Sequence, residues 1–311
     1  MDTPDYTDHK WRKRPIHIAS AKGYTGCVKK LVDNNASVES LDIEGRTPIH
    51  WAASFGHVHT LQYLISVGCN VNATQIDGFT PLHCTAALNN HEACQVILTH
   101  GANVDAVDDD GWASIHHAAA YGHLSLVKVL HDAGASLTLK TPINDNILHI
   151  SSYTIKKHKV EILRYLVENK VPLNEKDGEG NTALHIACTH NCYGNAKCLI
   201  ELGADLYASD EGSPLFTAAC EYYCQDIIML LINSGYNCSR EQWIREGRYP
   251  SSLVNHPSLV SLLTHYASMP RTLQDLSSFC ILKHMRQYSE ANIDLLPIPT
   301  ALKFMLKNVI K

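Results

Sequence analysis

The sequence predicts an all-α solenoid, a stack of similar helix pairs, over most of its 311 residues. A histidine recurs every 33 residues four times in succession. These histidines are His17, His50, His83, His116 and His149. Each closes a similar tetrapeptide, such as Thr47-Pro48-Ile49-His50, and further copies end at His185 and Phe216. A fixed period of this length indicates repeats that bury a core by stacking on their neighbours.

Residues 42–72 show how one repeat is built. Thr47 is a predicted N-cap that accepts a hydrogen bond from a backbone N–H two or three residues on, and Pro48 suits the first helical position. Gly56 ends this first helix and His57 begins the turn into the second. The second helix carries its apolar stripe at Val58, Leu61, Leu64 and Ile65.

Composition excludes several classes of protein. The net charge is -5 and both signs are mixed, so no basic field exists for nucleic acid or an anionic membrane. No apolar run is long enough to span a membrane. The opening residues, 1–6, are acidic and lack the apolar core of a signal peptide. We therefore expect a cytoplasmic or nuclear protein.

The 11 cysteines are scattered and form no C-x-x-C pair. Zinc sites need closer pairing, and the densest group, Cys188, Cys192 and Cys198, falls partly on small or apolar repeat positions. We expect reduced, mostly buried thiols, with no metal and no cofactor. No phosphate-binding loop, G-x-S-x-G or H-E-x-x-H motif occurs, so the chain is not expected to be an enzyme.

The repeat resembles the ankyrin repeat, whose pattern includes T-P-L-H-x-A-A and a later Gly-His. The resemblance covers residues 13–239 in seven copies and implies helix pairs with finger loops that project toward a concave face. It also implies that the six repeat histidines bond to backbone or to a neighbouring repeat, which favours a structural over a catalytic role.

Two repeats depart from the period. His149 and His185 are 36 residues apart, because residues 153–158 lengthen a turn, and a finger near Asp210 is two residues short. Before the array, residues 1–12 form an N-terminal tail or cap. After it, residues 240–268 look helical in two pieces and are expected to cover the open end of the last repeat.

Residues 269–311 form a separate unit. Thr272 is a plausible N-cap, and Leu273, Leu276 and Cys280 lie on one helical face. A second helix, 300–306, follows a Pro-x-Pro turn. Two such short helices are too small to fold alone, so this unit either caps the repeats or docks on another protein.

The unit resembles a suppressor-of-cytokine-signalling (SOCS) box, which would be a small three-helix domain. Leu273, Ser277 and Ile281 take the places of its Leu, Cys and aliphatic residue, and Leu296-Pro297-Ile298-Pro299 reproduces its cullin-selecting motif. The resemblance implies elongin-binding residues at Leu273, Leu276, Ser277, Cys280 and Ile281. It implies cullin-binding residues at Leu296, Pro297, Ile298, Pro299 and Leu302.

Ser277 departs from the pattern, because the family has a cysteine there. A buried hydroxyl without a partner costs about 1–3 kcal/mol, so we expect weaker elongin binding. Placing Cys280 in that position would set Asp275 before the leucine and His284 at the aliphatic position, which fits worse.

Ankyrin repeats followed by this box resemble the ankyrin-repeat and SOCS-box family. The resemblance implies a substrate receptor that binds elongin C and elongin B, with cullin 5 and a RING protein alongside, and a protein substrate on the repeats. The alternative is an ankyrin scaffold or inhibitor whose tail only caps the stack.

Aromatic residues on the first helices and after the finger glycines mark a candidate substrate surface, because aromatics are enriched at interface hot spots. They are Trp51, Phe55, Phe79, Trp112, His117 and Tyr121. Packing between repeats is the alternative interpretation. The run Asp108-Asp109-Asp110 either favours a basic peptide or is a solvated loop.

Overall fold

The structure is a computed structural model that describes residues 12–153, 159–209, 213–220, 224–254 and 256–268. The chain divides into two compact units, Met1–Ala183 and Leu184–Lys311. Throughout the described residues the secondary structure is helical, with a single isolated bridge between Val107 and Ala113. The all-α prediction is therefore confirmed.

The first unit contains five helix pairs. They are α1 (Pro15–Ala21) with α2 (Thr25–Asp33), α3 (Pro48–Ser54) with α4 (Val58–Ser66), α5 (Pro81–Ala87) with α6 (His91–Thr99), α7 (Ser114–Tyr121) with α8 (Leu124–Asp132), and α9 (Ile147–Ser152) with α10 (Lys159–Glu168). The lengthened turn predicted at 153–158 lies, apart from Tyr153, outside the described residues.

The second unit holds most of α11 (Ala183–Thr189), which pairs in sequence with α12 (Tyr193–Glu201), and then α13 (Pro214–Cys220) with α14 (Gln225–Asn233). A 3-10 turn (Cys238–Arg240) and helices α15 (Gln242–Arg245), α16 (Ser251–Val254) and α17 (Pro257–Ser268) follow. The sequence predicted two helical pieces after residue 240, and the structure has three. The short finger predicted near Asp210 lies outside the described residues.

Residues 240–268 lie against the last helix pair of this unit. Helix α16 packs on α13, and α17 packs on α15 and the 3-10 turn. Ile244, Leu253 and Leu263 are buried, and the Trp243 ring centroid lies 5.6 Å from that of Phe216. The segment therefore covers apolar surface of α13 that a following repeat would otherwise cover.

Close packing within a repeat follows from small residues on the first helix and an apolar stripe on the second. Ala52 and Ala53 of α3 are fully buried, as are Leu61 and Leu64 of α4, whereas the predicted stripe residues at 58 and 65 are half-buried. The polar Thr60 is also buried, and its hydroxyl lies 2.8 Å from that of Thr25. This side-chain bond links two repeats and was not predicted.

Each of the first five repeat histidines is bonded to its own helix start, and four of them also reach a later part of the chain. The cap residue's backbone N–H donates to the imidazole Nδ1 at 2.9–3.2 Å. Because Nδ1 accepts, the neutral ring carries its proton on Nε2. In four of them Nε2 lies 2.8–3.1 Å from a carbonyl oxygen of the next finger. Those carbonyls belong to Ser40, Phe79, Trp112 and Glu175.

Burial keeps these rings neutral. It lowers the pKa of His50, His83 and His116 to about 4, and it also lowers the pKa of His17 and His149. In the sixth repeat, His185 Nδ1 lies 2.6 Å from the hydroxyl of Ser209. The structural role predicted for the repeat histidines is confirmed by these bonds.

The predicted N-cap differs in one detail. Thr47 lies at the cap position with extended backbone angles, but its hydroxyl bonds to Nδ1 of His50 at 2.8 Å rather than to a backbone N–H. The equivalent Thr80 makes both bonds, to the His83 ring at 2.8 Å and from the His83 N–H at 3.4 Å. In both repeats the histidine Nδ1 is therefore shared between the hydroxyl and the backbone N–H of the cap threonine.

The turn between the two helices of a repeat carries a second link. His57 Nε2 bonds to the carbonyl of Ala21 at 3.0 Å, and His123 bonds to that of Ala87 at 3.3 Å. Asn90 takes the same position and donates to the carbonyls of Ala53 and Ser54. The residue after the left-handed turn residue, which is Gly56, Asn89 or Gly122, thus satisfies carbonyls at the end of the preceding repeat's first helix.

Nine cysteines whose side chains the structure describes are free thiols: Cys27, Cys69, Cys84, Cys94, Cys188, Cys192, Cys198, Cys224 and Cys238. All of them except Cys27 are buried. Burial raises the pKa of Cys84 and Cys94 to about 11 and that of Cys69 and Cys238 to about 12. Among the described residues, no group of His, Cys, Asp and Glu side chains could hold a metal ion. No helix in the described ranges is long and apolar enough to cross a bilayer.

Candidate protein-binding surface

Three of the six predicted surface residues meet in one aromatic cluster. The His117 ring centroid lies 4.7 Å from that of Phe79 and 5.2 Å from that of Trp112. His117 is only 8% exposed, and its Nε2 lies 2.7 Å from the carboxylate of Asp108. His117 therefore supports the cluster from beneath, while the half-buried Phe79 and Trp112 face outward in part.

Trp51 is held on several sides by its own chain. Its Nε1 donates to Asp42 Oδ2 at 3.1 Å. Lys13 Nζ and the Arg46 guanidinium carbon each lie 4.1 Å from the centroid of its ring. Cations at this distance interact favourably with an indole ring. Because these contacts already engage the half-buried Trp51, it serves more as a support than as an open contact residue.

Asp42 and Asp108 organise their fingers, a role that the sequence did not predict. Asp42 Oδ1 accepts backbone N–H groups of Glu44 and Arg46, each at 2.9 Å, and its Oδ2 binds Trp51. Burial tends to raise the pKa of the Asp42 carboxyl, but the bonds from Arg46 outweigh it and the pKa is lowered. A carboxylate nine residues before a side-chain donor, as in Asp42 and Trp51, is the sequence signal that could have shown this.

Asp108 repeats the arrangement two periods of the array later. Its Oδ1 accepts the backbone N–H groups of Asp110 and Trp112 at 3.1 and 2.8 Å, and its Oδ2 binds His117. Asp108 is only 6% exposed, whereas Asp109 and Asp110 are exposed. The interpretation of 108–110 as a solvated loop therefore holds for Asp109 and Asp110 and is wrong for Asp108, which is a buried structural acceptor.

Three exposed apolar residues at the C-terminal ends of α3, α5 and α7 form a regular series. Phe55, Leu88 and Tyr121 are 55%, 56% and 42% exposed, and they are spaced by one 33-residue period. We call them the apolar row. Phe55 and Tyr121 were predicted as contact residues, but Leu88 was missed because only aromatic residues were considered. Its position in the repeat was the available signal.

The finger tips carry a second series, which we call the acidic row: Glu44, Asp77 and Asp110, again one period apart and exposed. Glu44 pairs with Arg46 at 2.7 Å. Asp77 and Asp110 form no ion pair within the described residues. Two finger carboxylates therefore remain available to a partner's cations.

Contacts connect the two rows within the second repeat. Arg46 pairs with Glu44 and lies over the Trp51 ring, and Trp51 stacks on Phe55 with centroids 6.2 Å apart and planes 7° apart. The path from finger tip to helix end is thus continuous from side chain to side chain. The two rows belong to one surface, which has an acidic side and an apolar side.

Neighbouring fingers are also tied together. Ile76 N–H donates to the Glu44 carbonyl at 3.0 Å, and Asp109 N–H donates to the Asp77 carbonyl at 3.1 Å. Pro142 occupies the equivalent donor position in the next finger and has no N–H to give. The backbone bonds therefore link the second, third and fourth fingers, which are the ones that carry the acidic row.

Comparison with known proteins agrees with these features. A family model of ankyrin repeats in three copies matches residues 3–75 and 67–141, and a model of ankyrin repeats in many copies matches 148–200. A SOCS box model matches residues 269–307. The chain belongs to the ankyrin-repeat and SOCS-box family.

The family's fold is also seen in a solved structure. This ankyrin-repeat and SOCS-box protein is similar to the crystal structure of the human ASB11 ankyrin repeat domain, with a TM-score of 0.61 and 23% identity. The likeness covers 70% of this chain and 98% of that chain, and it bears on the fold alone. A search of curated proteins returned no match.

The SOCS box match contains every residue predicted to bind elongin or cullin. The predicted elongin-binding residues are Leu273, Leu276, Ser277, Cys280 and Ile281, and the predicted cullin-binding residues are Leu296, Pro297, Ile298, Pro299 and Leu302. All ten lie outside the described residues, so their assignments remain predictions.

Proposed function

We propose that this protein is the substrate-recognition subunit of an elongin–cullin–RING E3 ubiquitin ligase. The observation that carries the proposal is a SOCS box match at 269–307 directly after ankyrin repeats and their helical cap. In this role the box binds elongin C, with elongin B, and selects cullin 5 with its RING protein. The chain performs no chemistry itself and acts in the cytoplasm or nucleus.

The repeats supply the substrate site in this proposal. The exposed apolar row and the partly exposed Phe79 and Trp112 give a surface whose aromatic and aliphatic side chains suit a protein partner. Holding a substrate there raises the effective concentration of its lysines near the ubiquitin-charged enzyme. That gain in proximity is the receptor's whole contribution to the reaction.

The alternative is an ankyrin scaffold or inhibitor whose tail only caps the array. The packing of the last helix pair supports the ligase proposal instead. Leu253 of α16 and Leu263 of α17 are fully buried, so residues before the box already supply a cover for α13. A cap made of residues 269–311 is not needed for that surface, which leaves the box for another protein.

Co-expression of the full chain with elongins B and C, followed by size-exclusion chromatography, tests the elongin step. We expect one ternary complex for the wild type and its loss in Leu273→Asp, because a carboxylate replaces the leucine assigned to the elongin contact. Val254→Asp, an exposed apolar residue outside the box, is the matched control and should keep the complex. A stable wild-type chain that elutes alone would support the scaffold alternative.

The cullin assignment is tested separately with the same complex. Replacing Pro297 and Pro299 with alanine should abolish co-elution of cullin 5 while elongins B and C stay bound. The separation matters because elongin binding and cullin choice are assigned to different parts of the box. Retention of cullin 5 by this double variant would refute the assigned motif without affecting the elongin result.

A further inference from the structure

We propose that the apolar row and the acidic row together bind a basic amphipathic α-helix of the protein substrate. Calling the partner a substrate rests on the proposed function, but the binding itself needs neither elongin nor cullin. It names the chemistry of the partner, which the SOCS box and the repeat pattern leave open.

The spacing of the apolar row fits a helix. The row contributes one side chain at the C-terminal end of each of α3, α5 and α7, and these helices pack on one another in turn. Packed helices lie about 10 Å apart. An α-helix presents the same face every seven residues, or about 10.5 Å. A partner helix laid across the repeats therefore places apolar residues i, i+7 and i+14 on Phe55, Leu88 and Tyr121.

An extended strand does not fit this spacing. Alternate residues of a strand point to opposite sides, so its same-face side chains recur at about 6.6 or 13 Å and never near 10 Å. The three members of the apolar row could not all be used by one strand. A helical partner is favoured for this reason.

Charge complementarity determines the other side of the partner helix. Asp77 and Asp110 are exposed, repeat at the same spacing as the apolar row, and form no ion pair within the described residues. Exposed Asp109 adds a third negative charge beside them. Lysine or arginine residues along one flank of the partner helix would face these carboxylates.

The surface is built to hold its shape before a partner binds. Phe55 stacks on Trp51 and lies 6.3 Å from the His57 ring, while Tyr121 stacks on His123 at 6.1 Å. His57 and His123 are the residues that bond to the preceding repeat. The contact residues are therefore supported by the links that fix the spacing of the repeats, which reduces the entropy lost on binding.

The charge pattern also indicates where the binding site ends along the array. The position equivalent to Phe55 in the first repeat is the exposed Lys22. A basic flank would be repelled there, so the partner helix ends over the second repeat or carries an acidic residue at that end. The partner is thus basic over the third and fourth fingers and neutral or acidic toward the first repeat.

The test is selection from a phage-displayed library of helical peptides about 18 residues long, long enough to span three repeats. The bait is the full wild-type chain in complex with elongins B and C, or the full chain alone. Enriched peptides are synthesised with a fluorescent label and titrated by anisotropy at low and physiological salt. A library of strand-forming peptides of equal length, rich in Val, Ile and Thr, is screened in parallel.

We expect enriched helices with apolar residues every seven positions and Lys or Arg on one flank. Leu88→Asp should weaken their binding at least about tenfold, and Asp77→Asn with Asp110→Asn about threefold, with the charge effect fading as salt is raised. Val67→Asp and Glu92→Gln change exposed residues of α4's end and α6 in the same repeats and should leave affinity unchanged.

Four outcomes would overturn the proposal: no enrichment from the helical library, enrichment of acidic or aperiodic sequences, tighter binding by extended peptides, or unchanged affinity for Leu88→Asp. Failure of the proposed ligase function is a different result. In that case the chain would not co-elute with elongins, yet the same basic helices would still bind to the chain alone.

Discussion

The second to fifth repeats and the seventh repeat differ in the residue that lies near the start of the first helix. In the former, a buried histidine accepts the cap residue's N–H and, in three of the four, bonds to a carbonyl of the next finger. In the seventh, Phe216 stands at that position, half in solvent, with its ring against Trp243 of the cap. The N-terminus of α13 is instead capped by Ser213, whose hydroxyl accepts the Phe216 N–H at 3.0 Å.

This difference indicates the role of the repeat histidine, which is to supply a hydrogen-bond donor to the next finger. Within the array, each repeat is followed by a finger that brings backbone carbonyls to the first helix, and those carbonyls need a donor. The seventh repeat is followed by helices α15 to α17 in place of another finger. An aromatic ring that packs on a tryptophan suits that neighbour, and a polar ring would not.

Acidification should destabilise the histidine-bearing repeats first. Burial lowers the folded-state pKa of His50, His83 and His116 to about 4, below the unfolded value of 6.5. The unfolded chain therefore binds more protons between these values, and stability is lost as pH falls through that window. Between pH 7 and pH 5 each ring loses about 2 kcal/mol, or about 6 kcal/mol for three.

Urea denaturation at pH 7 and pH 5, followed by hydrogen exchange, measures this loss. Amides of α3, α5 and α7 should lose protection, while amides of α13, whose repeat has Phe216 in place of histidine, should change least. Equal loss in both regions would show that the repeat histidines do not cause the acid sensitivity.

Replacing one histidine should cost more than the reverse exchange in the last repeat. His83→Phe removes the acceptor of the Thr80 N–H and the donor to the Trp112 carbonyl, leaving two buried groups without partners. At about 2 kcal/mol for each, the variant should be about 4 kcal/mol less stable. Phe216→His, the control, should cost about 1 kcal/mol, because it removes a ring contact at a half-exposed site. Thermal and urea unfolding of both variants decide between them.

The helical segment 240–268 should be sensitive to the loss of a single buried leucine. Leu253→Ala removes a fully buried side chain of α16 and should destabilise the second unit by about 3 kcal/mol. Limited proteolysis should then cut within residues 240–268 while α1 to α10 stay protected. Cleavage spread evenly along the chain would contradict the assignment of α16 to a local cover. Val254→Ala, its exposed neighbour, should behave like the wild type.

Much of the fold was readable from the sequence because it depends on short-range patterns. The Thr-Pro starts, the glycines that end the first helices and the second-helix stripe all lie within one repeat. The sequence did not predict the short helix α16, Ser251–Val254. A helix of only four residues is too short to show a helical periodicity. Leu253 of this helix is fully buried, which no periodicity of the sequence indicates.

The candidate surface was predicted less completely. The sequence marked six residues by aromatic or imidazole character, and the structure divides them into outward-facing Phe55 and Tyr121, partly exposed Phe79 and Trp112, and the supports Trp51 and His117. Residue type alone cannot make this division. Leu88 and the buried Asp108 were misjudged for the same reason.

The sequence by itself determined the number and phase of the repeats, the structural use of their histidines and the SOCS box at the C-terminal end. These properties follow from spacing along the chain, which a periodic fold converts directly into position. Only the tertiary structure decided which surface side chains are free. Lys13 reaches Trp51 and His57 reaches Ala21, and contacts between residues 36 to 38 positions apart cannot be read from a local pattern.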